Sequence, residues 1–307
     1  MANAGQIASR LQKFLGKEAA RGNQQGHADP DSAPSANFAA LMPQERTISV
    51  WGPAGAPGKS TLALNLADSL AFAGQRTLLI DSDLVAPSLA LMVGAADQAT
   101  GLSAACKLAR EANLDPAELH RVSIKVDAAG PSFWLLPGIS GASRWPEITP
   151  SAIETILRAA SRDFDVAIFD LASSLEPALR TDAAALARNE LTRYLVSNVD
   201  RLICLAQPDA VSVHRMLRQL PDLQRLRADA ALTLVINRVR QSVNGSKPER
   251  QLSETFNSLV KINPAFFLPD DPATCDSALR GGVPVRLIKR RSTFAVAVRA
   301  LALYLRV

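Results

Sequence analysis

Residues 47–61 read TISVWGPAGAPGKST, a β-branched run that breaks into a Gly/Pro/Ala turn and closes on Gly58-Lys59-Ser60-Thr61 ahead of a helix-patterned stretch, LALNLADSLAFAG. Strand, small-residue turn and helix in that order predict a phosphate-binding loop. Small residues let backbone N–H groups close around phosphate oxygens, and the positive end of the following helix adds to the attraction. In such a loop Lys59 reaches the β- and γ-phosphates and the Ser60 hydroxyl sits on Mg²⁺. The spacing G-x-x-x-x-G-K-[ST] is incomplete, because its first glycine falls on Pro53 and Gly52 stands one place early. An ordinary strand-turn-helix is the competing reading.

Carboxylates have to complete a nucleotide site, since Mg²⁺ and an attacking water both need them. Two later runs supply them. TLLIDSD at 77–83 ends in Asp81 and Asp83, and DFDVAIFD at 163–170 ends in Asp170 after four apolar residues, the pattern of a Walker B strand. An aspartate at a strand end is otherwise a cap or turn residue. Asn237-Arg238, after the run LTLVI, offers an amide that can both accept from and donate to a purine edge. FLPDDPATCDSALRGGVPV at 267–285 reads as a Pro-pinned turn after a last strand.

From Thr47 onward short apolar runs alternate with longer helical patterns. Strands are expected at Thr47–Trp51, Thr77–Asp81, Phe133–Leu136, Val166–Asp170, Arg201–Leu205, Leu232–Ile236 and Phe266–Leu268. Helices are expected around Lys59–Ala73, Ser151–Ser161, Asp182–Ser197, Val211–Leu226 and Thr293–Leu305. The alternation predicts an α/β fold of three α/β/α layers, with a mostly parallel sheet of seven or eight strands and ligands at the strands' carboxyl ends. Trp51, Trp134 and Trp145 are most simply packing residues.

The N-terminal part has a different texture. Ile7, Leu11, Phe14 and Leu15 recur at helical spacing among Arg10, Lys13, Lys17 and Arg21, so 1–21 reads as a basic amphipathic helix suited to a membrane surface or a partner, the alternatives being a helix folded back on the main domain or a frayed terminus. Residues 22–44, rich in Gly, Pro, Ser, Asn and Gln, read as a flexible linker, leaving 45–307 as the P-loop domain. The 307 residues are 48% hydrophobic, enough for one sizeable core. No run approaches the roughly 18 consecutive apolar residues of a membrane span, and no signal-peptide pattern opens the chain. The expectation is a cytoplasmic protein, or one held peripherally at the inner face of the plasma membrane or at a cell pole. Cys106, Cys204 and Cys275 show no C-x-x-C spacing and the three histidines are far apart, which argues against a disulfide framework or a zinc site. The net charge of +5 permits contact with nucleic acid or anionic lipid without demanding it. Arg286, Lys289, Arg290 and Arg291 form a basic stretch that is either such a patch or a solvated face.

Taken in order, these features resemble the ParA/MinD family of P-loop ATPases, the deviant Walker A group of the SIMIBI class that positions DNA, division machinery or surface organelles. The resemblance covers 47 to about 305 and is nearest to the pilus-assembly localisation factors TadZ and CpaE, with a helix and linker standing where those often carry a receiver-like domain. It implies ATP/ADP and Mg²⁺ as cofactors. The loop residues Gly55, Ala56, Gly58, Lys59, Ser60 and Thr61 would hold the phosphates, and Ser60, Asp81 and Asp170 would hold the metal. Lys59 and Asp83 would act in hydrolysis, Asp83 beside the attacking water; Asn237 would read adenine, and the turn 269–273, with Pro269 and Asp270, would line the base pocket. LLPG at 135–138 is similar to the family strand before the crossover to Walker B. The resemblance further implies protein partners within a localised assembly, a homodimer, and peripheral membrane contact through 1–21, with DNA a weaker candidate.

The departures bear on turnover. The family's loop is K-G-G-x-G-K-[ST], whose first lysine crosses a dimer interface to the opposite phosphates; the aligned residues here run from Ala54 to Ser60, so that lysine is missing. Losing such a cation costs orders of magnitude in rate where it neutralises a phosphoryl-transfer transition state. Pro57 also removes one N–H from the cradle. Leu171-Ala172-Ser173 after Walker B lacks the usual Thr-Pro or Pro-Ala-Gly. The expectation is a slow nucleotide-dependent spatial organiser for pilus or secretion assembly or for pole or septum placement. A non-catalytic scaffold, a DNA-partitioning ATPase and, last, a small-molecule ligase or kinase of the same superfamily are the alternatives.

Overall fold

The computed structural model describes residues 46–305 apart from 57, 98–100, 128, 178–186, 228–231 and 245–246. The expected helix at 1–21, the linker at 22–44 and the amide-less Pro57 lie outside the described residues. The strands are β1 Thr47–Trp51, β2 Thr77–Ser82, β3 Ile124–Val126, β4 Phe133–Leu136, β5 Val166–Leu171, β6 Arg201–Ala206, β7 Leu232–Val239 and β8 Phe266–Pro269. They form one eight-stranded sheet in the order β3-β4-β2-β5-β1-β6-β7-β8. Every pairing is parallel except β3 with β4. The longer helices are α1 Lys59–Phe72, α2 Gly101–Arg110, α3 Pro116–Val122, α4 Pro150–Ala160, α5 Asn189–Asn198, α6 Ala210–Leu226, α7 Pro248–Leu259, α8 Pro272–Gly281 and α9 Thr293–Leu305.

Strands buried on both faces explain the near-continuous apolar runs. Alternation then divides them between two cores: Val166 and Ile168 of β5 pack on one side with α1 and α9, while Ala167, Phe169 and Leu171 pack on the other with α2, α4, α5, α6 and α7. These are the three layers. Local signals start several helices. Thr149 Oγ1 accepts from Ala152 N at 3.3 Å with Pro150 behind it, and Asp209 Oδ1 accepts from Val211 N and Ser212 N.

The expected strands are all present, β1 and β4 at their stated bounds. The structure adds β3, a three-residue edge strand too short to announce itself, together with α2, α3, α7 and α8. Helix α8 corrects the reading of 267–285 as a turn alone. The turn ends at Asp271, whose Oδ1 accepts from Thr274 N and Thr274 Oγ1, and with Pro272 next a helix follows. The basic C-terminal stretch is not one solvated patch. Arg286 makes two 2.8 Å hydrogen bonds to Asp68, which is 1% exposed, and both Arg286 and Arg290 lie over the Phe72 ring. No described helix is long and apolar enough to cross a membrane.

Candidate nucleotide site

β1 is the point where the chain order reverses, with β2 beyond β5 on one side and β6 on the other, so the crevice at its carboxyl end is where such sheets take ligands. The loop at 52–58 occupies that crevice. Ala56 N donates to Pro53 O at 2.9 Å, closing a turn. Gly55 and Gly58 have φ of +75° and +98°, which glycine adopts without the steric cost other residues meet. At Gly58 space matters as well, since a Cβ would come 2.5 Å from Asn237 Nδ2. Helix α1 starts at Lys59 with no side chain capping its N-terminus, leaving its first N–H groups for an anion.

Lys59 Nζ donates to Ser173 Oγ at 2.6 Å, tying the loop lysine to the segment that follows β5. Trp51, a core residue, fixes the same segment through Nε1 to Ser173 O at 3.2 Å. Trp134 and Trp145 pack against that core, half-buried. Ser60 Oγ accepts from the Ser88 hydroxyl at 3.2 Å.

The carboxylates of Asp81 and Asp170 are neighbours across the sheet, Asp81 of β2 being the register partner of Asp170 of β5, with Val50 of β1 on Asp170's other side. Asp81 is 1% exposed and held by backbone, its Oδ2 accepting from Ser88 N and Leu89 N and its Oδ1 from Asp83 N. Burial raises its pKa to about 6 against those hydrogen bonds. Asp170 is equally buried, yet neither of its oxygens has a hydrogen-bond partner within the described residues. Burial and then the charge of Asp81 raise its pKa to about 8, while the nearby Ser60 hydroxyl and Lys59 ammonium oppose the rise. Asp83 Oδ1 accepts from Val85 N and Ala86 N, each at 2.9 Å, and shapes the loop after β2.

Farther along the crevice Asn237 is buried near the end of β7 and abuts Gly58. Beyond it the strand is irregular: Arg238 has φ +57° and the β7–β8 register shifts between Ile236 and Val239. Asp270, after Pro269, donates its N–H to Val239 O at 3.1 Å and pairs with Arg240 at 3.5 Å. The structure thus brings Gly55, Gly58, Lys59, Ser60, Asp81, Asp83, Asp170 and Asn237 to one end of the sheet, with Ala56 and Thr61 in the loop and α1. Pro269 and Asp270 stand one strand beyond Asn237.

Sequence reasoning missed Ser88, Ser173 and Arg215. Arg215 Nη1 donates to Ala54 O at 3.0 Å across 161 residues of chain, and no local pattern signals such a contact. Ser173 was noted only as a departure after Walker B, and Ser88 carries no motif.

An Mg²⁺ fits this donor set. A buried carboxylate with no hydrogen-bond partner among the described residues, a second carboxylate beside it and a serine hydroxyl are hard oxygen donors, and phosphate oxygens and water complete such a shell. Among the described residues no cluster of three His, Cys, Asp or Glu side chains offers a self-sufficient metal site.

Comparison with known proteins points the same way. The family profile described as CobQ/CobB/MinD/ParA nucleotide binding domain matches residues 48–285. The septum site-determining protein MinD of Bacillus subtilis is 21% identical over 253 residues, which is 77% of this chain and 85% of that one. A ParA family ATPase from Chlorobium tepidum superposes with a TM-score of 0.68 at 18% identity, covering 85% of this chain and 99% of the other. The septum site-determining protein MinD of Pyrococcus horikoshii, solved with Mg-ADP, does so with a TM-score of 0.62 at 21% identity, covering 85% and 96%. At these identities the structural likeness shows the fold.

Proposed function

The chain belongs to the CobQ/CobB/MinD/ParA nucleotide-binding family, and we propose that it is an ATP-dependent switch that hydrolyses slowly and organises a localised assembly. The observation that carries the reading is Asp170, a buried carboxylate beside Asp81 whose oxygens have no partner in good hydrogen-bond geometry among the described residues, with Ser60 and Lys59 of the loop close by. An unpaired buried carboxylate is costly, and a bound cation is the economical reason to keep one. In this reading the loop amides and Lys59 hold the phosphates, and Ser60, Asp81 and Asp170 hold Mg²⁺. Mg²⁺ held by these residues would supply neutralisation of the phosphate charge. Asp83 orients the attacking water, and Asn237, with Pro269 and Asp270, receives the base.

The switch consists of two segments that the site touches directly. The turn after β2 hangs from Asp81 and Asp83 through the amides of Val85, Ala86, Ser88 and Leu89, and the segment after β5 is held by Lys59 through Ser173. A γ-phosphate that draws on Lys59, Asp81 or Asp83 changes what those segments are tied to, and a partner or a second copy of the chain reads the result. Val85 and Leu91, both exposed, provide apolar contact on that side. Positioning of pilus or secretion assemblies, or of a pole or septum, is the cellular role in this reading, and the septum site-determining relative supports the general role of spatial organiser. Residues 1–21 serve as the contact with partner or membrane.

A scaffold that binds nucleotide without turning it over is the second reading, favoured by Ala54 at the position of the family's crossing lysine. DNA partitioning draws less support, since Arg286 is already paired with Asp68. Hydrogen–deuterium exchange in the presence of Mg²⁺ with ATP or ADP tests the switch. Slower exchange over 83–92 and 171–177 with ATP than with ADP is expected; identical exchange in both nucleotides contradicts it.

A further inference from the structure

The loop from 52 to 60 carries a single cation, Lys59, against a nucleotide tail of several negative charges. A second cation reaches it from α6. Arg215 Nη1 donates to Ala54 O at 3.0 Å, and a Cβ built on Gly55 would lie 1.8 Å from that nitrogen and 3.0 Å from Cζ. The guanidinium is therefore seated on the bare α-carbon of Gly55, at the rim of the loop, and any side chain there would displace it.

The placement is rigid at its base. Asp209 caps α6, Ser212 Oγ accepts from Gln207 N at 2.8 Å, and Val213 and Met216 on either side of Arg215 are in the core. The arginine is exposed and spends one of its five donors on Ala54 among the described residues, so it has donors left for an anion. It borders a groove of about 290 Å³ that runs from Ala54 to Leu175 and Glu176, the segment continuing from Lys59's partner Ser173.

Resting on the nucleotide-switch reading above, we propose that Arg215 is a phosphate-binding residue of the same subunit, a second cation that contacts the terminal phosphate of ATP and supplies from α6 the charge that Ala54 does not. A guanidinium suits this role because its fork pairs with phosphate oxygens through two parallel hydrogen bonds. Its hydrogen bond to Ala54 O holds it at the loop beforehand. The residue then favours ATP over ADP, which lacks the phosphate it contacts.

The test is equilibrium binding of labelled ATP, a non-hydrolysable ATP analogue and ADP, each with Mg²⁺, to the unmodified protein and to Arg215→Ala, Arg215→Lys and Arg225→Ala. Arg225 lies ten residues along the same helix, pairs with Asp222, and controls for loss of net charge. Arg215→Ala is expected to weaken ATP and its analogue about tenfold or more, to leave ADP within about twofold, and to keep the nucleotide-free melting temperature. Arg215→Lys recovers part of the loss and Arg225→Ala changes neither nucleotide. Equal weakening of ATP and ADP, or no change in either, overturns the proposal while leaving the switch reading intact. Failure of the unmodified protein to bind ATP at all removes both.

Discussion

Asp170 concentrates the energetics of the site in one side chain. A carboxylate whose pKa rises from 3.8 to about 8 on folding is protonated in the native chain where it is ionised in the unfolded one. The native state then binds the extra proton, so stability falls as pH rises from about 4 and the full cost is reached above about 8. Asp81, raised to about 6, adds a smaller penalty of the same sign over a lower window. Replacing Asp170 by Asn should therefore stabilise the nucleotide-free protein, by an amount near zero at pH 4 and on the order of 1–3 kcal/mol at pH 8. Urea denaturation across that range measures it, and the same variant should lose Mg²⁺-dependent nucleotide affinity. A stability difference independent of pH would mean that burial of this carboxylate is relieved in some other way. Gly58 offers a second prediction at this scale. With φ +98° and Asn237 Nδ2 where a Cβ would go, Gly58→Ala should both lower stability by about 1–3 kcal/mol and reduce nucleotide affinity. Thermal melting beside ATP titration would reveal whether the two losses occur together.

The elements carrying the loop at 52–58, Asp81 and Asp170 were legible because each combines a strong local pattern with a break. Buried strands end at Trp51, Ser82 and Leu171, the last two one residue past the aspartates that close their apolar runs, and the Gly58-Lys59-Ser60-Thr61 signal marks the start of α1 at Lys59. Elements with sparse patterns escaped. Helix α7 buries only Leu252 and Phe256, one i,i+4 pair on an otherwise polar stretch, and β3 spans three residues paired at the sheet edge. Helix α8 escaped for another reason: its Asp271 cap and Pro272 are a readable start signal, and they lay inside what reads as a turn. Contacts between distant elements had no sequence signal. The Asp68–Arg286 pair, which ties α1 to the short helix Val285–Ile288 before α9, joins residues more than two hundred apart, and alone Arg286 looks like part of a basic run. Removing Asp68 takes the carboxylate and two hydrogen bonds from a largely buried guanidinium, so Asp68→Ala should cost about 3–5 kcal/mol, read by chemical denaturation. A change below about 1 kcal/mol would show that the pair is screened like a surface one.

At the scale of the whole molecule, chain order decides where chemistry can occur. Because β1 lies between β5 and β6, the loop after it, the carboxylates ending β2 and β5, the amide ending β7 and the start of α6 all converge on one edge of the sheet. Two cores hold that edge from either side, and the turn after β2 and the segment after β5, anchored in them by Leu84, Leu89 and Leu175, carry the groups tied to Asp81, Asp83 and Lys59. The central claim is that this edge is a working Mg²⁺–ATP site despite the incomplete loop motif. Its most direct measurement is equilibrium binding of labelled ATP, with and without Mg²⁺, to the protein and to Lys59→Ala. The account predicts saturable, Mg²⁺-dependent binding that the variant loses; binding absent from the unmodified protein, or unchanged in Lys59→Ala, would contradict it.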